Sequence, residues 1–250
     1  MSKRMLGSII YTAIAGGYDN LKSPRIGGGG LDHPRTRLAF VDNPVLCDAV
    51  DRPGWQVRQM ESICMDPLMQ AKRYKILAHR VLPADTGYSL WVDGKLEISD
   101  RLDVDGWAAE HLGDRDIALF RHPSRSCLYR EAYVCARKLV DDWTVIARQV
   151  NGYRREGYPR DNGLAECSVI LRRHTPDMSR LEEAWWTEVT NGSRRDQLSF
   201  DYVCWKLGIR YATLPGDYHE SPWFRKLPHI RPRSVRPGSE QPAWARRGLV

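Results

Sequence analysis

Tyr88-Ser-Leu-Trp-Val-Asp-Gly-Lys-Leu-Glu-Ile98 carries an apolar strand straight into an acidic turn with Asp93 at its tip. Leu90, Trp91 and Val92 form an unbroken apolar run, the pattern of a buried strand whose end is held rigidly. Gly94 lets the backbone turn sharply and leaves room for a ligand beside the carboxylate. An aspartate so placed suits a divalent cation, whose oxygen ligands must be hard and well positioned. The plain alternative is an ordinary hairpin turn, because Asp-Gly is a strong hairpin signal.

Upstream of this stretch, Ser8–Ile14 reads as a first, largely buried strand ending at Gly16-Gly17. Lys22 to Arg37 contains the four glycines Gly27 to Gly30 and reads as a loop. Arg37–Val41 and Trp55–Met60 are the next strands, and Pro67 to Ala78 has helical spacing with Leu68, Ala71, Ile76 and Leu77 as apolar positions. Downstream, Asp105–Leu112 reads as a helix and Ile117–Phe120 as a strand. Leu128 to Asn151 reads as one long helical region ended by Asn151-Gly152. Glu166–Arg172 is a strand, Ser179–Thr190 an amphipathic helix with the Trp185-Trp186 pair, and Asp196–Lys206 a last helix. Strands alternating with helices predict a mixed α/β sheet flanked by helices. Ligands of such sheets sit at the carboxyl ends of strands. Here those ends are Gly16-Gly17, Asp42 and Asp93.

The 250 residues, 42% hydrophobic and 28% charged, are those of a globular protein with one sizeable core or two small ones. No segment approaches the roughly 20 apolar residues of a transmembrane helix, and the start Met1–Ile10 lacks a cleavage site, so a cytoplasmic location is expected. Cys47, Cys64, Cys127, Cys135, Cys167 and Cys204 show no C-x-x-C pair or zinc spacing, and read as reduced, mostly buried thiols. Of the net charge of +7, four charges belong to Arg231–Val250, with five arginines and one glutamate. That stretch also holds Pro232, Pro237 and Pro242 and lacks periodicity, so residues 231–250 read as an extended or disordered basic tail behind a domain spanning 1–230.

Several stretches resemble the TOD1/MUCI70 glycosyltransferase-like domain family, of GT-A type. They are Tyr11–Asp19, Ala71–Leu77, Ser89–Gly94, His122–Arg125, Glu166–His174 and Arg194–Phe200, in the family's order. The resemblance implies a GT-A-like, Rossmann-type mixed sheet, a nucleotide-sugar donor such as a UDP-sugar, and a divalent metal, Mn²⁺ or Mg²⁺. It also implies a role in glycan or polysaccharide synthesis. Where GT-A enzymes typically carry Asp-x-Asp, this chain has Asp93-Gly94-Lys95, so the second acidic ligand is missing from its usual place. Asp93 is the expected metal ligand, with His219 as its partner and His229 as the rival.

On this reading Thr12, Ala13, Gly16, Gly17 and Tyr18 form the donor end of the first strand, the glycines allowing close approach and Tyr18 stacking on a base. Arg73, ahead of its neighbours Lys72 and Lys75, is expected on phosphate or ribose, beside Asp93 and Gly94. His122 and Arg125 are expected to face the sugar or the acceptor, although His122 before Pro123 also suits a plain turn. Trp186 is the expected sugar-stacking wall; core packing is its alternative. Asp196 and Glu166 are the candidate catalytic carboxylates, a general base needing hydrogen-bond reach of the acceptor hydroxyl. Asp196 also suits an N-cap. The expected acceptor is a glycan, with an anionic polymer or modified DNA as the alternative. A binding module on a degenerate GT-A scaffold is the non-catalytic reading, supported by the missing second aspartate. A hydrolase ranks last, because no G-x-S-x-G elbow or H-E-x-x-H motif is present.

Overall fold

The structure, a computed structural model, describes residues 7–25, 36–43, 54–61 and 66–228. The glycine run Gly27–Gly30, Cys47, Cys64, His229 and the basic tail lie outside the described residues. Strand β1 (Ile9–Ile14) is buried at all six positions, as expected of a parallel strand covered on both faces. It pairs in parallel with β2 (Thr36–Val41) and with β4 (Tyr88–Val92), and β2 pairs in parallel with β3 (Gln56–Gln59). Strand β7 (Ala165–Arg173) lies antiparallel between β4 and β6 (Ile117–Arg121), and β6 pairs in parallel with β8 (Ala212–Leu214). The seven-stranded order is therefore β3-β2-β1-β4-β7-β6-β8, a GT-A-like mixed sheet in which β7 alone is reversed.

That reversal decides where chemistry can assemble. The carboxyl ends of β1, β2, β4 and β6 meet the amino end of β7 along one edge of the sheet, which gathers Asp42, Asp93, His122 and Glu166 there. Pairing between β6 and β7 also slips at this edge, from Leu119 opposite Ile170 to Phe120 opposite Glu166. Residues 167–169 are thus extra to the β6 ladder, although Val169 keeps its pairing with Val92 of β4, a device that re-aims side chains beside functional sites.

Alternate side chains feed two cores. Tyr11, Leu38, Phe40, Trp91, Leu119 and Ile170 face one side. They pack there against α1 (Pro67–Ile76), α4 (Leu128–Arg137), α5 (Trp143–Arg155), α6 (Pro176–Asn191) and α7 (Phe200–Leu207). Ile10, Leu90, Val92, Phe120, Val169 and Leu171 face the other. That side is covered by α3 (Val104–His111) and a two-stranded ribbon of β5 (Leu96–Ile98) and β9 (Phe224–Lys226). Among the described residues no helix is long and apolar enough to cross a membrane. The four described cysteines are free and buried.

Three expected elements are redrawn. The helix from Pro67 stops at Ile76, where Leu77 leaves helical geometry, and the short α2 (Ala78–Val81) follows. The long region from Leu128 is two helices. It breaks at Leu139, which sits at φ 51°, and restarts when Asp142 accepts the Thr144 N–H at 2.7 Å. Asn151 and Gly152 lie inside α5. Asp196–Leu198 is a separate 3-10 turn ahead of α7. The hairpin alternative at Asp93-Gly94 holds only for the turn itself. Leu96 N–H donates to Asp93 C=O at 2.8 Å, yet β4 and β5 then diverge into different sheets.

Candidate active site

The cleft at this edge is built mainly from α1, β4, the start of β7 and the 3-10 turn. Asp66 caps α1 by accepting the Leu68 N–H at 3.0 Å, and Pro67 occupies its first turn. Lys72 and Lys75 stand three residues apart and so share one helix face, which is turned into the cleft. Asp93 is fixed by its own N–H, bonded to Ser168 C=O at 2.9 Å. Gly94 is needed for close approach, since a Cβ there would sit 3.0 Å from Ile14 Cγ1. The backbone carbonyl of Asp196 accepts the indole N–H of buried Trp185 at 3.0 Å and the Ser199 hydroxyl at 3.1 Å.

Two carboxylates and three ammonium groups then interlock. Lys72 donates to Asp196 Oδ1 at 2.6 Å. Lys75 Nζ lies 2.7 Å from Asp196 Oδ2 and 3.2 Å from Asp93 Oδ1. Trp91 Nε1 donates to the same Asp93 oxygen at 2.8 Å, and Lys95 Nζ lies 3.4 Å from Asp93 Oδ2. Burial opposes ionisation of Asp196, but Lys72, Lys75 and Arg195 outweigh it and hold the carboxyl well below the usual range. Burial also opposes ionisation of Asp93, and Lys75 with Lys95 reverse it. Desolvation works against the Lys75 ammonium, while Asp196 and Asp93 more than compensate and keep it charged. Burial pushes the Cys167 thiol well up, so it stays protonated. Glu166 differs from both aspartates: its oxygens accept the Ser168 N–H at 2.8 Å and the Ser168 hydroxyl at 2.7 Å, donors without charge.

These residues do not fit a divalent metal on Asp93. One carboxylate oxygen is taken by an ammonium and an indole N–H, and the other faces a second ammonium. An ion bound there would meet each ammonium at about 4 Å, a repulsion of roughly 8 kcal/mol at an effective dielectric of about 20. His219 is engaged elsewhere, 2.7 Å from Asp217 Oδ1 and 3.0 Å from Lys226 Nζ. Among the described residues no group of three His, Cys, Asp or Glu could hold a metal ion.

Of the residues expected at the site, Ala13, Tyr18, Asp93, Gly94, Glu166 and Asp196 line this one cleft. Thr12 is buried within β1. Gly16 and Gly17 shape the turn behind the cleft at φ 66° and 60°, with Gly16 N–H bonded to Asp42 Oδ2 at 2.6 Å. Arg73 points away from Lys72 and Lys75, lying 3.7 Å from Glu61 and over the Tyr74 ring. His122 shapes a turn: burial and Arg125 keep its ring below the usual histidine range, and its Nδ1 accepts the N–H groups of Ser124 and Arg125, both at 3.1 Å. Arg125 is bonded to Glu131 at 2.5 Å, and Trp186 packs half-buried on the core. The N-cap alternative for Asp196 is not taken, because its carboxylate goes to the lysines. Lys72 and Lys75, ranked behind Arg73 by the sequence, line the cleft in its place, and Lys95, Trp91, Ser168 and Arg195, which the sequence did not mark as site residues, line it too. The signal for the first two was present in their three-residue spacing.

The TOD1/MUCI70, glycosyltransferase-like domain family matches residues 52–215, which contain every cleft residue described above except Ala13, Tyr18 and their β1 neighbours. The probable hexosyltransferase MUCI70 of Arabidopsis thaliana is 29% identical over 230 residues, covering 83% of this chain and 39% of its own length. The chain therefore spans about two-fifths of that relative. With more than half its length matched and a GT-A-like sheet beneath the cleft, the chain belongs to the TOD1/MUCI70 glycosyltransferase-like domain family.

Proposed function

We propose that this domain is a glycosyltransferase that moves a hexosyl group from a nucleotide-sugar donor, a UDP-sugar, to a hydroxyl of a glycan acceptor. The observation that carries the reading is the cleft at the strand ends, where a tyrosine, three lysines and four carboxylates converge. The name of the Arabidopsis relative, a probable hexosyltransferase, supports the same class of reaction. Tyr18, half-buried after β1, supplies a face for the base, and the lysines lie where a leaving diphosphate needs positive charge. Breaking the bond between the anomeric carbon and the diphosphate sends its electron pair to a phosphate oxygen, and fixed ammonium groups stabilise that charge best where water is excluded. The acceptor oxygen forms the new bond and must lose its proton.

Glu166 is the better base. Its hydrogen bonds come from neutral donors, whereas Asp196 is held in its ionised form by three cations and has little affinity for a proton. Asp196 instead keeps Lys72 and Lys75 in place. In an assay of UDP release from UDP-hexoses with oligosaccharide acceptors, Glu166→Gln should lower kcat by roughly 10²–10⁴, with UDP affinity unchanged. Equal loss of UDP affinity would remove the base assignment. No UDP binding or release by the wild-type protein would remove the transferase reading.

A further inference from the structure

Among its lining side chains the cleft carries four carboxylates (Asp19, Asp93, Glu166, Asp196) and four cations (Lys72, Lys75, Lys95, Arg195). An anion is therefore not drawn in by net charge, and the question is which cation is free to meet it. Lys72 and Lys75 are held on Asp196 at 2.6 and 2.7 Å. The Lys95 ammonium has Asp93 as its one ion-pair partner among the described residues, at 3.4 Å. It also has a cationic neighbour. Leu96, the next residue, pairs with Lys226 across the β5–β9 ribbon. The two ammonium groups lie within electrostatic reach of each other. Lys226 is met by His219, an imidazole, and by no carboxylate within ion-pair distance among the described residues. Two amines thus stand near each other with one carboxylate, Asp93, within ion-pair distance of Lys95 and none within that distance of Lys226 among the described residues, and a bound anion would relieve their repulsion.

We propose that the donor diphosphate is held by Lys95, backed by Lys226 and the Lys72–Lys75 pair, in place of a divalent cation on Asp93. The lysine stands where the resemblance led one to expect a second acidic metal ligand, and Asp93 serves to orient ammonium groups. Each ammonium offers three N–H donors to phosphate oxygens. When the glycosidic bond of the donor breaks, the electron pair that moves onto the diphosphate is met by these donors and no further charge carrier is required. The inference rests on the transferase reading, and the two fail in different ways.

The test is calorimetric titration of the full chain with UDP, in EDTA and in added Mn²⁺, beside Lys95→Gln and Asp93→Asn. UDP should bind with similar affinity in both buffers. Lys95→Gln should weaken it roughly tenfold, the loss of a charge-assisted contact, while uridine binding stays unchanged. Asp93→Asn is the sharpest arm, because it frees Lys75 and Lys95: UDP in EDTA should bind at least as tightly as to wild type. A metal-bridged diphosphate requires the reverse, with binding only in Mn²⁺ and its loss in Asp93→Asn, and that result overturns the inference while leaving the transferase reading intact. UDP binding in neither buffer overturns both.

Discussion

Asp196→Asn removes one charge and almost no volume, and separates a charge that organises the cleft from one that merely reacts in it. The carboxylate is 2% exposed and lies within 2.7 Å of both Lys72 and Lys75. Removing one partner from a buried ion pair costs about 3–5 kcal/mol, because the remaining charge is left uncompensated. Here Lys75 keeps Asp93 at 3.2 Å, and the Lys72 side chain is 12% exposed and can reach water. Both facts favour the lower end, about 3 kcal/mol. For a chain of this size that is a fall in Tm of roughly 6–12 °C, read by thermal melts at pH 7. The pH dependence has a definite sign. The folded-state carboxyl titrates below the unfolded value, which is near 3.9. Its stabilisation is therefore complete above that pH and is lost as pH falls through it towards the folded value. The gap between wild type and variant should close in acid. A variant melting within about 2 °C of wild type at pH 7 would refute the organising role. Asp196 would then be a carboxylate whose loss is tolerated, as at sites where function opposes stability.

The same logic applies deeper in the fold, where Arg172 and Glu182 are 0% and 1% exposed and 3.2 Å apart. Glu182→Leu alone should cost about 3–5 kcal/mol, while Arg172→Met with Glu182→Leu should recover part of it and no more, because Arg172 also donates to Tyr11 and the Lys75 carbonyl, read as a double-mutant cycle from denaturant melts. Additive losses would mean that the two charges do not compensate each other. At the turn behind the cleft, Gly16→Ala meets both a φ of 66° and a Pro67 Cβ at 2.8 Å. Gly113→Ala has a φ of 55° and open space. Gly113→Ala should lose about 1 kcal/mol and Gly16→Ala clearly more; equal losses would remove the close approach of α1 to the β1 turn as a constraint.

How much of this was legible in the sequence depends on which interactions are local. The strands at Ile9, Thr36, Tyr88, Ile117 and Ala165 and the turn at Asp93 are written in apolar runs and a glycine. The helical spacing from Pro67 was visible too, and with it the shared face of Lys72 and Lys75. Arg73 stands out in the sequence because guanidinium suits phosphate, yet on a helix carrying those lysines inward their neighbour must turn away. The break at Leu139 was hidden because a left-handed leucine leaves no glycine to mark it. The slip between β6 and β7 depends on a partner strand some 50 residues away in sequence, so no local pattern announces that Cys167 and Ser168 enter the cleft. The same holds for Trp91, whose apolar character predicted burial while its indole N–H turned out to hold Asp93.

The deepest link between fold and site is the buried guanidinium of Arg172. It donates to Tyr11 Oη at 2.6 Å and to the Lys75 carbonyl at 2.9 Å, and is paired with Glu182. The last carbonyls of a helix lack intrahelical partners, and Arg172 together with the Tyr11 hydroxyl, at 3.3 Å, satisfies the buried Lys75 carbonyl at the end of α1. One residue of β7 thereby ties β1, α1 and α6 together at the residue whose side chain joins Asp93 to Asp196. Lys75 has its backbone set by the core and its ammonium set by two carboxylates, with no slack at either end. Arginine cannot replace it, because a planar fork on a longer stem cannot sit between two carboxylates spaced for a single nitrogen. Lys95, on the ribbon side of the turn, has its carbonyl bonded to the Leu227 N–H at 2.9 Å, but its ammonium lies on one carboxylate at 3.4 Å instead of between two, and for that reason the freedom to meet a ligand belongs to it.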